Sequence, residues 1–331
     1  MKAMRVDTFG GPEALKLVEI PTPVPGPGEA LIRHEAIGVN FVDTQHRAGT
    51  PYDVTAPIIV GTEAAGVVAQ VGDGVHDLRV GDRVVYTGMP GVYAEYAVMP
   101  ATWVILLPPQ ISTRLAAAIL LQGSTAHYLS HDAYPLQPGD SALVLAAAGG
   151  VGRLLVQLAK QRSAFVIGYT STQEKADIVQ ADGADAVIVG RGGGFAAQVR
   201  ALTGGEGVNV VYDSIGQATF TDSLASLRRR GYLVAYGQAS GPIPPFEPVQ
   251  LAGFNRPEGN GSLYITWTSN SDYNATPEAL QKRANDLFTA VLQGNLRVDI
   301  AAEFPLEAAA DAHRLMESRT VTGKILLTVS V

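Results

Sequence analysis

The stretch SALVLAAAGGVGRLLVQLA, residues 141–159, has the spacing in this chain that could do the most chemistry. An apolar run of strand length, 141–147, leads into Gly149, Gly150 and Gly152. Leu154, Leu155, Leu158 and Ala159 then fall on one helical stripe. Against the pattern G-x-G-x-x-G, the three key places hold Ala147, Gly149 and Gly152. The middle glycine lets the backbone approach a pyrophosphate, and the last lets helix pack on strand. The helix N-terminus offers free N–H groups and a positive dipole end to phosphates. Strand, glycine turn and helix therefore predict a dinucleotide site, with Ala147 as the departure from the strict pattern.

A second strand over 165–170 supplies the next group of candidates. In sites of this kind an acidic side chain at its tip holds a ribose 2′-hydroxyl. Here the tip reads Tyr169, Thr170, Ser171, Thr172, with no carboxylate before Glu174. Lys175 follows directly, and Arg191 closes the third strand. Hydroxyls and cations suit a 2′-phosphate, so NADP(H) is expected over NAD(H).

Composition narrows the classes. A chain of 331 residues suggests two domains. At 47% hydrophobic and 17% charged residues, it can bury large cores and is not of the disordered type. A net charge of −7 with no basic block argues against nucleic acid as the main ligand. There is no cysteine, which excludes disulfides, thiolate catalysis and cysteine-ligated zinc. The first residues have no apolar core of signal-peptide length, and no stretch reaches the roughly 18 apolar residues of a membrane span. A cytoplasmic location is expected.

These candidates need elements to hold them. Residues 1–122 read mainly as short strands (4–7, 15–20, 30–39, 66–71, 83–86, 93–98 and 103–106) separated by turn residues, a spacing that suits a partly closed antiparallel barrel. A helix is expected over 111–128, interrupted at Gly123, Ser124 and Thr125, where the domain boundary is placed. From 124 to 266 strands (141–147, 165–170, 186–189, 208–213, 231–236, 262–266) alternate with helices (150–161, 172–182, 194–203, 217–229). That alternation implies right-handed crossovers and a doubly wound parallel sheet. The tail offers a helix from Pro277 to Leu292, a second from Leu306 to about Ser318, and a closing strand over 324–329 that packs back on the first domain. The expected domains are 1–123, 124–266 and a return over 267–331.

Several motifs in order carry a family resemblance: GVNFVDTQHRAG (38–49), GTEAAGVV (61–68), VGDRVVY (80–86), QGSTAHYL (122–129), AAAGGVG (146–152), VVYDSIG (210–216), YGQASG (236–241), GSLYIT (261–266) and ESRTVTGKILL (317–327). The chain resembles the zinc-free quinone oxidoreductases related to ζ-crystallin, within the medium-chain dehydrogenase/reductase superfamily. The resemblance implies a GroES-like, mainly antiparallel β-barrel domain plus a Rossmann domain, a cleft between them, and a homodimer joined by edge strands near 231–266. Zinc enzymes of the superfamily have a ligand cysteine where Asn40 stands and G-H-E where Gly61-Thr62-Glu63 stands. His127 and His131 lack the glutamate of H-E-x-x-H and read as a satisfied pair.

The resemblance also implies roles. Asn40 would lie beside the nicotinamide ribose, and Tyr52 is the candidate aromatic of the acceptor pocket. Thr125 and Tyr128 would line the cofactor; Gly149, Gly150 and Val151 would face the pyrophosphate. Ser171 and Lys175, with Arg191, would hold the 2′-phosphate. Ile215, Gly237, Gln238, Ala239 and Ser240 would sit at strand tips near adenosine and ribose. Tyr264 and Thr266 would hold the carboxamide through backbone groups, and Arg319 would reach phosphate. Family members often carry a tyrosine on the 2′-phosphate where Gly190 stands, a loss that Arg191 next to it is expected to offset. Gln45 stands where related enzymes have an aromatic near the nicotinamide and Trp267 where a relative has arginine, so a reshaped acceptor pocket is expected. Asp43, His46 and Tyr52 neighbour Asn40 in sequence, and none stands out as a proton donor. With no metal ligand set, the expected activity is NADPH-dependent reduction of a quinone, an acceptor that takes hydride or electrons without strong Lewis-acid help. Reduction of α,β-unsaturated carbonyls is the alternative within the same class. A non-catalytic NADPH-binding role, crystallin-like or RNA-binding, is the alternative outside it.

Overall fold

The computed structural model describes residues 1–51, 53–253 and 261–329, and the chain divides into two compact units, residues 1–124 with 274–331 and residues 125–273. The first stretch contains β1 (Lys2–Val6), β2 (Leu15–Glu19), β3 (Glu29–Val39), α1 (Phe41–Ala48), β4 (Ile58–Ile59), β5 (Glu63–Val71), β6 (Arg83–Thr87), β7 (Tyr96–Pro100), β8 (Ile105–Leu106) and α2 (Thr113–Tyr128). Then come β9 (Ser141–Leu145), α3 (Gly150–Gln161), β10 (Phe165–Thr170), α4 (Gln173–Ala181), β11 (Ala186–Val189), α5 (Ala196–Leu202), β12 (Val208–Asp213), α6 (Phe220–Ser226), β13 (Leu227–Ala235) and β14 (Tyr264–Trp267). The chain closes with α7 (Asn270–Tyr273), α8 (Pro277–Leu292), β15 (Ile300–Pro305), α9 (Ala309–Glu317) and β16 (Lys324–Thr328).

The first unit is organised on β3, long enough to pair three ways: with β5 along most of its length, with β7 through residues 29–33, and with β16 through residues 36–39. All three pairings are antiparallel, so the tail strand β16 enters the sheet beside the end of β3 that leads into α1. The order is β15-β16-β3-β5-β6-β8, with β2-β1-β4 as a separate sheet. Ile32, Ile37 and Val39 share one core with Leu306, Ala309, Ile325 and Leu327 of the tail.

Two elements here depart from the sequence expectation. Helix α1 occupies residues to which no element was assigned from sequence; Asn40 is its N-cap and Gly49 ends it in the left-handed region, with φ 71°. Strand β15 pairs in parallel with β16 as an edge strand of alternating half-buried and exposed residues. It carries Glu303 and Pro305, residue types that blunt a sheet edge.

The second unit is a parallel sheet in the order β11-β10-β9-β12-β13-β14. In order of occurrence this reads 3-2-1-4-5-6, the doubly wound arrangement in which ligands bind outside the carboxyl ends where the order reverses. That point lies between β9 and β12. The stripe of α3 is buried as expected, and Val156 is buried with it, because α3 packs on β9 and β10 and also against the wide turn Leu129–Ala133. The helix expected over 217–229 ends at Ser226. Leu227 is already extended and opens β13, pairing with Val208, while the next partner of β12, Val210, faces Tyr232. The surplus residues, Arg228 to Arg230 among them, bulge out exposed, with Arg230 at φ 59°.

Candidate functional site

At the switch point, Gly149 caps α3 and its N–H donates to the Ala146 carbonyl at 2.8 Å, closing a tight turn. Ala146 itself adopts φ 49°. Gly152 is the residue on which the turn depends: a Cβ there would meet the Ala146 carbonyl oxygen and lie 2.8 Å from Ala147 Cα. The helix can start this close to β9 only with glycine at that place. Gly149, Gly150 and Val151 remain half-buried while Gly152 and the residues after it are buried, so the accessible part of the turn is the first helical turn with its free N–H groups.

The tip of β10 carries the second group. Thr172 caps α4 by accepting from the Lys175 N–H at 3.4 Å, beside half-buried Ser171. Burial lowers the Lys175 pKa, and the charge of Arg191 lowers it further, so the two cations stand close enough to repel one another. Such a pair is suited to an anion. Tyr169 explains the glycine at 190: its hydroxyl donates to the Gly192 carbonyl at 2.9 Å, and a Cβ on Gly190 would lie 2.8 Å from that hydroxyl. The ring from β10 occupies the space a side chain at 190 would need.

Asp213, at the tip of β12, organises the next loops and was not singled out from sequence. Fully buried, it accepts from the N–H groups of Ile215 (2.7 Å) and Gly216 (3.0 Å) and from the hydroxyls of Thr219 (2.9 Å) and Ser223 (2.8 Å). The loop from β13 zips onto this one: Ala239 N–H donates to Ser214 O and Ser240 N–H to Ile215 O. The Ser240 hydroxyl donates to the Ile215 carbonyl and accepts from Ala218 N–H, so its bonds serve this pairing. Gly237 presses against Ser214, whose carbonyl a Cβ would meet at 2.9 Å, and Gln238 accepts from the Gly241 N–H through its carbonyl.

On β14, Tyr264 stacks on Tyr232 of the neighbouring strand at 4.3 Å between ring centroids, and Thr266 pairs with Val234. Thr125 accepts from Asn270 Nδ2 at 3.2 Å. Tyr128 stacks on Tyr273 at 4.4 Å and meets the Thr268 hydroxyl at 3.4 Å. The last turns of α2 are thereby tied to the segment after β14.

In the first unit Asn40 sits in a buried polar knot. Its Nδ2 donates to Glu63 Oε2 (2.9 Å) and the Gly38 carbonyl (3.2 Å); its Oδ1 accepts from Lys324 Nζ (2.7 Å) and Gln122 Nε2 (3.4 Å). An asparagine amide has two donors and two lone pairs, so every position is taken. Below it, Asp43 is fully buried and accepts from Asn40 N–H (2.8 Å), Tyr93 Oη (3.1 Å) and Thr62 Oγ1 (3.2 Å). Burial pushes its pKa up to about 7 against the pull of these donors and of Lys324. With Tyr93 donating to Asp43, His313 Nε2 donates to Tyr93 (3.0 Å), leaving Nδ1 to accept from Arg47 (3.3 Å). Burial and the Arg47 charge push His313 down to about 3, so it stays neutral. Arg319 is exposed just after α9, in the left-handed region at φ 57°. Tyr52 lies outside the described residues.

The structure thus gathers the glycine turn, Ser171, Lys175, Arg191, Ile215 and the loop over 237–240 beyond the carboxyl ends of one parallel sheet, whereas Tyr264 opens β14 at the amino end of its strand and Thr125 and Tyr128 lie on α2; Asn40 and Arg319 belong to the other unit. The partners of Asn40 were missed. Glu63 and Lys324 lie within GTEAAGVV and GKILL, each at the start of its strand. His127 and His131 stack at 4.1 Å, and among the described residues no group of three or more histidine, aspartate or glutamate side chains is placed to hold a metal.

A doubly wound sheet with a glycine turn at its switch point, joined to a mainly antiparallel unit, defines a nucleotide-dependent dehydrogenase or reductase of the medium-chain type. Residues 26–109 match the alcohol dehydrogenase GroES-like domain and residues 183–327 the zinc-binding dehydrogenase family. The chain is 42% identical to a 2-haloacrylate reductase of a Burkholderia species over 324 residues, 96% of each chain. It is 40% identical to quinone oxidoreductase 1 of Escherichia coli over 321 residues, again 96% of each. The crystal structure of Escherichia coli quinone oxidoreductase complexed with NADPH superposes with a TM-score of 0.94 at 38% identity, covering 99% of this chain and 100% of that one. The chain belongs to the quinone oxidoreductase family of the medium-chain dehydrogenase/reductase superfamily.

Proposed function

We propose that the protein is an NADPH-dependent quinone oxidoreductase that works without a metal. The observation that carries this is the pairing of a glycine turn with no room for a Cβ at Gly152 with two mutually repelling cations, Lys175 in the first turn of α4 and Arg191 just past β11. NADPH fits that arrangement. The N–H groups of Gly150 and Val151 face the pyrophosphate, and Ser171, Lys175 and Arg191 take the 2′-phosphate. Ile215 and the loop from Gly237 to Ser240 hold the adenosine side, shaped by Asp213. Thr125, Tyr128, Tyr264 and Thr266 line the nicotinamide half, Asn40 its ribose; Arg319 reaches phosphate, and Tyr52 lines the acceptor pocket. When bound, the reduced nicotinamide supplies the hydride. One NADPH, one quinone and one proton give NADP⁺ and one hydroquinone, and the protein's part is to bind, orient and shield the reactants. The first unit and the tail form the catalytic domain, and the parallel sheet the cofactor domain.

A second acceptor class has support of its own. The 42% identity to a 2-haloacrylate reductase favours alkenes conjugated to a carbonyl. Steady-state oxidation of NADPH against 1,4-benzoquinone, 9,10-phenanthrenequinone, 2-chloroacrylate and an alkenal tests both. Turnover of quinones is expected; rapid reduction of the alkenes with silent quinones would reverse the order, and no turnover of any would leave the non-catalytic role.

We further propose a cytoplasmic homodimer. Among the described residues β14 has a neighbour on one side only and exposes Tyr264 and Trp267, and no described helix is long and apolar enough to cross a membrane. Light scattering on purified protein gives twice the 34.7 kDa chain mass if the dimer forms.

A further inference from the structure

We infer that Glu63 and Lys324 are positioning residues for Asn40, and that they present its amide oxygen, never its nitrogen, to the ribose of the bound nucleotide. The inference deepens the proposed function and rests on it. The two are a fully buried ion pair, Lys324 Nζ to Glu63 Oε2 at 2.6 Å, with side chains 1% and 0% exposed. A pair taken this far from water seldom contributes net stability over an apolar pair of the same volume, so something other than stability has to be sought for it. Its geometry supplies one answer. Glu63 is an acceptor only and Lys324 a donor only. Both face the same amide: Glu63 takes the Asn40 NH₂ at 2.9 Å and Lys324 gives to its oxygen at 2.7 Å. Turning the amide over would set NH₂ against ammonium and oxygen against carboxylate. The charged pair removes the flip that an asparagine otherwise has.

The rest of the frame is as fixed. Glu63 Oε1 accepts the Leu121 N–H of α2 at 2.6 Å, and a Cβ on Gly38 would strike the Glu63 carboxylate and the Ala117 carbonyl. Carboxylate, helix and the end of β3 are in close contact, and the N–H of Asn40 is held by Asp43. Of the four bonds at the Asn40 side chain, three are at 3.2 Å or less or are pinned by charge. The fourth, from Gln122 at 3.4 Å, is neutral and the longest. It is the one a ligand can exchange. A ribose hydroxyl that donates to Asn40 Oδ1 replaces Gln122; a ligand that needs a donor there finds none.

The double variant Glu63→Gln/Lys324→Met tests this. It removes both charges together, so no lone charge is left buried. The new amide keeps an oxygen for Leu121 N–H and turns an NH₂ towards Asn40. The Asn40 side chain then reverses, and a donor replaces the oxygen that Gln122 had met. The expected result is a folded protein whose melting temperature is close to wild type, whose KM for NADPH is raised about tenfold, the worth of one hydrogen bond, and whose kcat at saturation changes less. A merely structural pair predicts that recovered stability brings recovered KM, and that outcome overturns the inference. Gln122→Leu is the second arm, usable even where the double variant does not fold: with the competitor gone, KM for NADPH falls, and an unchanged or higher KM also overturns it. Wild-type protein whose melting temperature ignores NADPH removes the functional reading itself, a result separate from either variant's.

Discussion

Replacing Gly152 with alanine is the sharpest test of the glycine turn. The added Cβ would lie 2.8 Å from Ala147 Cα and 2.9 Å from its carbonyl carbon, and closer still to the Ala146 carbonyl oxygen. Ordinary contact begins at 3.4 Å, so α3 must move off β9 by at least the difference, 0.6 Å, and no flexible side chain can absorb it. Overpacking of this kind costs about 1–3 kcal/mol. The helix propensity of alanine over glycine returns about 1 kcal/mol. The net loss of up to about 2 kcal/mol lowers the melting temperature by up to about 8 °C for a unit of this size. The functional effect is larger than the thermal one, because the helix start that moves is the one proposed to hold pyrophosphate. Displacements approaching 1 Å cost up to about 100-fold in well-oriented sites, so the KM for NADPH should rise about 10- to 100-fold with kcat at saturation little altered. Thermal unfolding and steady-state titration with NADPH measure both. A variant that melts lower yet keeps wild-type KM would show the turn to be packing alone and refute the phosphate assignment.

Three further outcomes are expected. Lys175→Ala and Arg191→Ala should each raise the KM for NADPH about 10- to 100-fold, the worth of one charge-assisted hydrogen bond, and leave the KM for NADH unchanged; equal losses with both nucleotides would exclude a 2′-phosphate contact. Asp213→Ala strands buried donors of Ile215, Gly216, Thr219 and Ser223, so stability should fall by about 2–4 kcal/mol, with nucleotide binding weakened as the two loops separate; an unaltered urea midpoint would contradict the role given to Asp213. For pH, His34 and His313 are pushed down to about 4 and about 3 by burial, so the unfolded chain binds their protons first and stability falls as pH drops from about 6.5. Asp43, raised to about 7, acts in the opposite sense: the folded state holds its proton more tightly, and its contribution grows as pH falls from about 7 towards 4. Asp43→Asn should therefore steepen the acid-side loss of melting temperature between pH 6.5 and 4, and an unchanged curve would show that Asp43 does not titrate there.

What could be read from the residues, and what could not, follows one physical division. The parallel sheet was legible because each of its strands is an apolar run bounded by turn residues, and each helix that follows β9 to β12 repeats its apolar residues at helical spacing. Where local pattern failed, it failed for local reasons. Helix α1 has Phe41 and Val42 as its apolar residues ahead of a polar run, so its evidence lay in the caps, Asn40 and Gly49. The opening of β13 was hidden because LRRRG reads as the charged end of a helix, whereas a bulge carries those arginines out of the ladder.

The knot around Asn40 is of another kind. Its members lie 23, 261 and 284 residues apart, and no window along the chain contains Glu63 and Lys324 together. Each alone is a charge at the start of a strand, the ordinary place for a solvated one; both are buried because β16 joins β3 and Glu63 opens β5, another neighbour of β3. The sequence could suggest that Asn40 stands in the site. That its amide can face one way only depends on an acceptor and a donor delivered from opposite ends of the chain, so orientation, unlike residence, became readable only once the strands had been paired.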